Sequence, residues 1–403
     1  MKPLVGVQVL ELARILAGPW AGQCLADLGA SVIKVERPVT GDDTRAWGPP
    51  FLEEVDGTTG DAAYFHCCNR GKRSIAVDFD TPDGRAVVRK IAAKSDVLLE
   101  NFRPGSLSRF GFDYESLART NPGLVYCSIT GFGQTGPYAH RAGYDYVIQA
   151  MGGIMDLTGE PGRPPQKIGV AVADIFTGVY TVVAIQAALL RRQRTGRGAK
   201  IDMALLDTQV GVLANQAMNY LVSRTSPSRL GNAHPNLVPY QVFEASDGPL
   251  VVAVGNDRQN LDLCQILGIA DHARDNRFRE NAGRVRNREA FLAPLAAAIG
   301  KWRREELLAA MEKAAIPAGP INSVAEVFND EQVRYRAMQI GVPNRSHPGG
   351  LFPGVRTPVL IDDEPAAAPH AAPRLGEHTN EILAEHGYAS DSIAKLRAAG
   401  AVG

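Results

Sequence analysis

Apolar residues follow two distinct periods over the first half of the chain. The run VGVQVLEL at residues 5–12 is β-branched and predicts a strand, residues 19–28 carry helical spacing closed by Gly29, and SVIKVE at 31–36 predicts a second strand. Strand, helix and strand within about 30 residues make a βαβ unit, which requires a parallel pair joined by a right-handed crossover. The pattern repeats. SIAVDF at 74–79 and DVLLE at 96–100 predict strands, TPDGR at 81–85 opens a helix running to Lys94 with Pro82 in its first turn, and LVYCSIT at 124–130 extends the series. Residues 1–200 therefore read as a doubly wound, parallel-sheet (Rossmann-like) α/β domain, with ligands expected at the carboxyl ends of its strands.

Beyond a linker helix at 201–224 the texture changes. Pro235, Pro239, the apolar run PLVVAVG at 249–255 and charged helices over 259–313 predict a smaller α+β domain at 225–320. Residues 321–403 return to the large domain through a helix near 323–337, a Pro- and Gly-rich stretch at 342–373 that reads as an extended linker, and a terminal helix around LGEHTNEIL at 375–383.

Composition narrows the partners. With 43 basic against 43 acidic residues the formal net charge is zero, so no field draws the chain to nucleic acid or an anionic membrane, and small molecules or protein are expected instead. Five cysteines (Cys24, Cys67, Cys68, Cys127, Cys264) show neither the even count of a disulfide framework nor paired C-x-x-C spacing, which predicts a reducing compartment and no zinc site. Glu11, Arg14 and Asp27 interrupt any signal-peptide core, and no run of about 18 apolar residues lacks a charge. The expected location is cytoplasmic.

One stretch stands out chemically. In GVAVADIFTGVY at 169–180, Asp174 is the single charge between a glycine-rich approach and a long apolar segment ending at the basic patch RRQR, 191–194. The plainer reading makes Asp174 a helix cap, and the sharper one makes it a nucleophile left reactive in an apolar setting. GFGQTG at 131–136 is a literal G-x-G-x-x-G, but the polar loop PYAHRAG follows it where a dinucleotide site needs an apolar helix, so no NAD is expected. Asn101, Phe102 and Arg103 follow a predicted strand and suit a nucleotide, with an aromatic face, an amide and a guanidinium, although an ordinary turn at Pro104 has the same composition. Arg37 and Arg109 carry the same two readings.

Taken together, LAGP (16–19), LGASVIKVER (28–37), NRGKRSI (69–75), ENFRPG (100–105), ITGFGQTGP (129–137), TGRG (195–198) and LGEHT (375–379) resemble the class III CoA-transferases, the CaiB/BaiF or formyl-CoA transferase family. The motifs cover almost the whole chain in order. The resemblance implies that Asp174 is the catalytic residue, attacking an acyl-CoA thioester to form an anhydride and then carrying CoA as an aspartyl thioester to the acceptor acid. It implies coenzyme A as co-substrate, no metal, and CoA contacts at Leu16, Ala17, Arg37, Val77, Asp78, Phe79, Asp80, Asn101, Phe102, Arg103, Arg109, Ala142, Gly143, Tyr144 and Asp145. It also implies a homodimer of two interlocked chains.

Formyl-CoA transferases carry glutamine at the position of Leu16 and lysine at that of Ala142, which points away from oxalate as acceptor. GDDTRAWGPPF (41–51), RAGYD (141–145), VPYQ (238–241) and VGNDRQ (254–259) are instead similar to the succinyl-CoA:dicarboxylate branch, such as succinate–hydroxymethylglutarate (glutarate) CoA-transferases. Arg45, Arg141 and His234 are then candidates for the distal carboxylate of the acid, a task an arginine fork suits. Two other functions compete. The α-methylacyl-CoA racemase branch shares the aspartate but needs a histidine where this chain has Tyr144, and a phenol of pKa about 10 is a poor base at neutral pH. A non-catalytic CoA-binding module is the other, since fold does not guarantee function.

Overall fold

The computed structural model describes residues 2–403. Strands β1 (Gln8–Glu11), β2 (Ser31–Glu36), β3 (Lys72–Ala76), β4 (Val97–Glu100), β5 (Val125–Thr130) and β6 (Ala199–Ala204) lie in the order β3-β2-β1-β4-β5-β6, every neighbouring pair parallel. The order reverses between β1 and β4, so the connections leaving their carboxyl ends diverge and open a crevice.

The strand runs are almost continuously apolar because both faces of the sheet are covered. Val9, Leu99 and Cys127 enter one core with Leu25 of helix α1 (Ala17–Asp27), while Leu10, Leu98 and Tyr126 enter another with Val87 and Ile91 of helix α2 (Pro82–Ala92). Each fully buried leucine or isoleucine stabilises the fold by about 1.5–3 kcal/mol. Helix α2 starts where its sequence directs: the Thr81 hydroxyl accepts the Gly84 N–H at 3.0 Å, and Pro82 occupies the first turn. Two further helices complete the site's frame, α3 (Asp145–Met151) and α4 (Val172–Thr195). By length and hydropathy α4 resembles a membrane span, yet its Ile185 and Leu189 pack into the same core as α1.

Charged side chains of β1 to β3 are buried in ion pairs. Lys34 meets Glu11 at 3.1 Å and Asp42 at 2.9 Å, and Lys72 meets Glu11 at 2.8 Å, all four side chains at 0% exposure. Arg45 and Arg70 close similar pairs with Glu36 and Asp27.

The chain divides into two compact units. The sheet belongs to the first, Met1–Ile154, Ile168–Met218 and Gln332–Gly403. The second, Met155–Lys167 with Asn219–Glu331, holds an antiparallel sheet of β7 (Tyr240–Ala245), β8 (Gly248–Ala253) and β9 (Ala318–Pro320), order β9-β8-β7. Helices α5 (Asp257–Ile266), α6 (Arg288–Ile299) and α7 (Arg304–Lys313) bury Leu263, Leu295 and Leu307 with it. The stretch read as an extended linker at 342–373 is more ordered than expected: β10 (Gln339–Pro343) and β11 (Leu351–Val355) form a hairpin, and Arg356 is buried on the carbonyls of Arg336 and Thr357. Helix α8 (Thr379–Glu385) then covers the α2 face of the main sheet with Ile382 and Leu383.

Candidate active site

Asp174 is the third residue of α4. A helix start leaves N–H groups unpartnered, and Ala171 at the cap position offers no side chain to take them. Asp145 does so from α3: its Oδ1 accepts the N–H of Ala173 at 2.8 Å and of Asp174 at 3.4 Å, and its Oδ2 accepts from Gln149 at 2.7 Å. Gln149 in turn fixes the approach to α4 through the Ile168 N–H and the Val170 carbonyl. With the cap supplied from elsewhere, the Asp174 carboxylate has no hydrogen-bond partner among the described residues and is 9% exposed. Burial pushes its pKa up to about 7, and the Asp145 charge adds to the rise.

The crevice between β1 and β4 holds a cavity of about 430 Å³ with Asp174 in its wall. Arg14, Leu16 and Ala17 line it from the end of β1, Asn101, Phe102 and Arg103 from the end of β4, and Thr130 and Gly131 from the end of β5. Arg141, Ala142, Gly143 and Tyr144 complete the wall. The N–H groups of Leu16, Ala17 and Gly18 at the start of α1 have no partner among the described residues, so a positive helix end faces the same space. Gly131 and Gly143 cross so closely that a Cβ on the first would lie 2.6 Å from the Cα of the second. That crossing accounts for the first glycine of GFGQTG, and the next helix begins only at Asp145.

A second group sits after β3. Val77 is buried, and the Phe79 ring meets Phe102 edge-on at 6.1 Å and Phe110 at 5.2 Å. Exposed Arg109 lies 3.9 Å from Asp80. Phe102 is thus shared between this aromatic cluster and the Asp174 cavity. Asp78 follows the buried Val77, and Arg37 is exposed at the end of β2 without lining the cavity.

Three expectations change. Arg45 is 7% exposed and already holds Glu36 at 2.7 Å and Asp61 at 2.5 Å while stacked on Phe65, so it is a structural cation and not a free substrate clamp. His234 belongs to the second unit, where its Nδ1 accepts the N–H groups of Asn236 and Leu237 and shapes a turn. Asp145, expected against CoA, lies outside the cavity lining and has both oxygens engaged at the α4 start. Arg141 remains at the cavity, its guanidinium 3.8 Å over the Tyr138 ring.

Two site residues escaped the sequence reading. Burial first, and then the Asp174 charge, push the Tyr64 phenol above its ordinary value, so Tyr64 stands within the field of Asp174, with Trp47 edge-on to it at 5.5 Å. Glu100 accepts the Phe102 N–H at 2.7 Å, and burial raises it to about 7. Its place at the head of ENFRPG was the available signal. Among the described residues no group of three or more His, Cys, Asp or Glu side chains gathers as a metal site. A larger cavity of about 660 Å³, walled by His66, Arg73 and Arg374 among others, lies elsewhere on the first unit and contains neither Asp174 nor the ends of β1 and β4.

Comparison with known proteins identifies the family. The sequence pattern of CoA-transferase family III matches residues 4–379. A succinate–glutarate CoA-transferase of Agrobacterium fabrum is 55% identical, over 95% of this chain and 95% of its own. A succinyl-CoA:glutarate CoA-transferase of Mus musculus is 43% identical, over 100% of this chain and 91% of its own. The crystal structure of a CaiB/BaiF family protein from Brucella suis superposes with a TM-score of 0.84 at 57% identity, covering 96% of this chain and 99% of that one.

Proposed function

The chain belongs to CoA-transferase family III, and on that premise we propose that it moves coenzyme A from succinyl-CoA to glutarate with Asp174 as the nucleophile. The observation that carries this reading is a buried carboxylate without a hydrogen-bond partner, released from capping by Asp145 and set in the wall of the switch-point cavity.

Asp174 attacks the thioester carbonyl, the C–S bond breaks, and CoA leaves as the thiolate while Asp174 is held as a mixed anhydride. The thiolate then attacks the aspartyl carbonyl, releasing succinate and leaving an aspartyl-CoA thioester. Glutarate attacks that thioester, a second anhydride forms, and the returning thiolate takes the glutaryl group and restores the carboxylate. A carboxylate suits the task because each exchange is between acyl groups of similar energy, and splitting the transfer lowers each barrier. The oxygen of each tetrahedral intermediate carries charge, and the unpartnered N–H groups of Leu16 and Ala17, in the wall of the same cavity, support an oxyanion role for the α1 start. The Phe79 and Phe102 rings support an adenine contact, with Arg103 and Arg109 for phosphates. Arg141, at the cavity and without a carboxylate partner, is the remaining candidate for the distal carboxylate of glutarate.

The same reading includes an interlocked homodimer. Phe176, Val179, Tyr180, Val183 and Leu190 stand 41–57% exposed along one face of α4, an apolar stripe that a second chain would cover. Five unpaired thiols support a cytoplasmic location, which cell fractionation checks.

The test is intact mass after incubation with succinyl-CoA, trapping with hydroxylamine or borohydride, with Asp174→Ala alongside. An adduct on Asp174, absent from the variant, is expected. An unmodified wild-type chain would sink the nucleophile reading. Sedimentation of the same sample should give twice the chain mass, and a stable monomer would remove the dimer.

A further inference from the structure

Between β1 and α1 the chain reverses through residues 12–16, and within them Ile15 has φ of 75°. This is the left-handed region, which a β-branched residue occupies only where its surroundings impose it. Those surroundings are specific. Both Asp42 oxygens accept the Ile15 N–H at 3.3 Å, and the Cys68 thiol faces the Ile15 carbonyl at 3.6 Å. The Asn101 amide accepts the Arg14 N–H at 3.0 Å and donates to the Arg14 carbonyl at 2.6 Å. Lys34 donates to the Ala13 carbonyl at 2.9 Å and pairs with Asp42 at 2.9 Å, both side chains wholly buried. The Thr44 N–H and hydroxyl hold Asp42 at 3.0 and 2.8 Å.

Asp42 does not line the cavity, but the loop it holds leads directly to Leu16 and Ala17, which do. A backbone rotation at Ile15 out of the left-handed region would reorient their unpartnered N–H groups in the cavity that Asp174 also lines. We propose that Asp42, anchored by Lys34, is a positioning residue for CoA transfer: it keeps Ile15 left-handed and thereby aims the Leu16 and Ala17 amides at the carbonyl that reacts with Asp174. The inference rests on Asp174 being the nucleophile. Its effect falls more on the rate of aspartyl acylation than on the affinity for CoA, since the clamp touches the CoA candidates Leu16, Ala17 and Asn101 but not the aromatic cluster after β3.

The experiment measures single-turnover formation of the Asp174 adduct from succinyl-CoA, together with binding of free CoA. Asp42→Ala should slow adduct formation at least tenfold and leave CoA binding within threefold. Glycine takes positive φ without strain, so Asp42→Ala combined with Ile15→Gly should regain most of the lost rate, whereas Asp42→Ala with Ile15→Val should not. Should Asp42→Ala fail to fold, the same pair of second substitutions is read in Asp42→Asn. An unchanged rate in the Asp42 variant, or a glycine double variant no faster than the valine one, overturns the clamp. Absence of adduct on the wild-type chain overturns the nucleophile reading along with it, while an adduct on the wild type with no Asp42 effect removes the clamp alone.

Discussion

Two groups of buried carboxylates lie at the β1 to β4 end of the sheet and have opposite fates. Glu11, Glu36 and Asp42 are surrounded by Lys34, Lys72 and Arg45. Asp42 falls to about 2 despite its burial, because Lys34 outweighs the loss of solvation, and Arg45 likewise lowers Glu36. Asp174 is buried to a similar degree with no cation and an acidic neighbour, and it rises to about 7. Burial is common to both, so burial does not make a reactive carboxylate. What separates them is whether the fold supplies a partner. At Asp174 the fold supplies one to the helix start instead, through Asp145, and leaves the Asp174 carboxylate bare.

Taking the partner from the ion cluster should have the largest effect on stability. Arg45→Met strands Glu36 and half-strands Asp61, and an uncompensated buried charge costs about 3–5 kcal/mol. Urea unfolding at pH 7.5 reads the loss. A change under about 1 kcal/mol would mean that the cluster is no better compensated than Asp174, and the comparison would fail.

The opposite change at Asp174 should stabilise. A carboxyl whose folded pKa of about 7 lies above its ordinary value of 3.8 binds its proton more tightly when folded. Its stabilising contribution is therefore complete below 3.8 and lost as pH rises through 7. Asp174→Asn removes that loss. At about 1.4 kcal/mol per unit, the variant should exceed the wild type by on the order of 2–4 kcal/mol at pH 8, and the difference should shrink toward zero near pH 4. Asp42 predicts the reverse, being depressed: its contribution is present above 3.8 and lost as pH falls to about 2. A pH-independent gain in Asp174→Asn would show that the aspartate is not strained by its charge.

How much of this the sequence disclosed depends on how local each cause is. β1 to β5 were legible because each carries, or runs into, a cluster of β-branched and apolar residues that the covering helices bury. β6 was not, since it alternates exposed Lys200 and Asp202 with apolar residues, and the β10–β11 hairpin hides in a Pro- and Gly-rich stretch. Asp174, Leu16, Ala17 and Asn101 to Arg103 were named from motifs, and the structure sets them around one cavity. The fates of Arg45 and Asp145 were illegible for a common reason. Each is decided by partners distant in sequence, Glu36 and Asp61 for the arginine and a helix start 28 residues on for the aspartate, and spacing does not reveal such pairings.

The smallest effect is the most diagnostic, because it divides the two things Asp145 does. As a cap, its oxygen takes the Ala173 and Asp174 N–H groups; as a charge, it helps to hold the Asp174 pKa high. Asp145→Asn keeps an acceptor oxygen and removes the charge. The acid limb of adduct formation should then move to lower pH by about 0.5–1 unit, since burial, the larger cause, is untouched. Asp145→Ala removes both roles. The freed N–H groups at the start of α4 then have Asp174 itself as the nearest carboxylate, in the first turn where acidic side chains cap helices. Drawn into that bond, Asp174 should acidify further yet react more slowly, because a carboxylate stabilised by hydrogen bonds is a weaker nucleophile. Adduct formation followed from pH 5 to 9 in the two variants separates the roles: the asparagine profile shifts with its plateau kept, and the alanine profile shifts and falls. Superimposable profiles would show that Asp145 acts through charge alone and that the cap does not keep the nucleophile free.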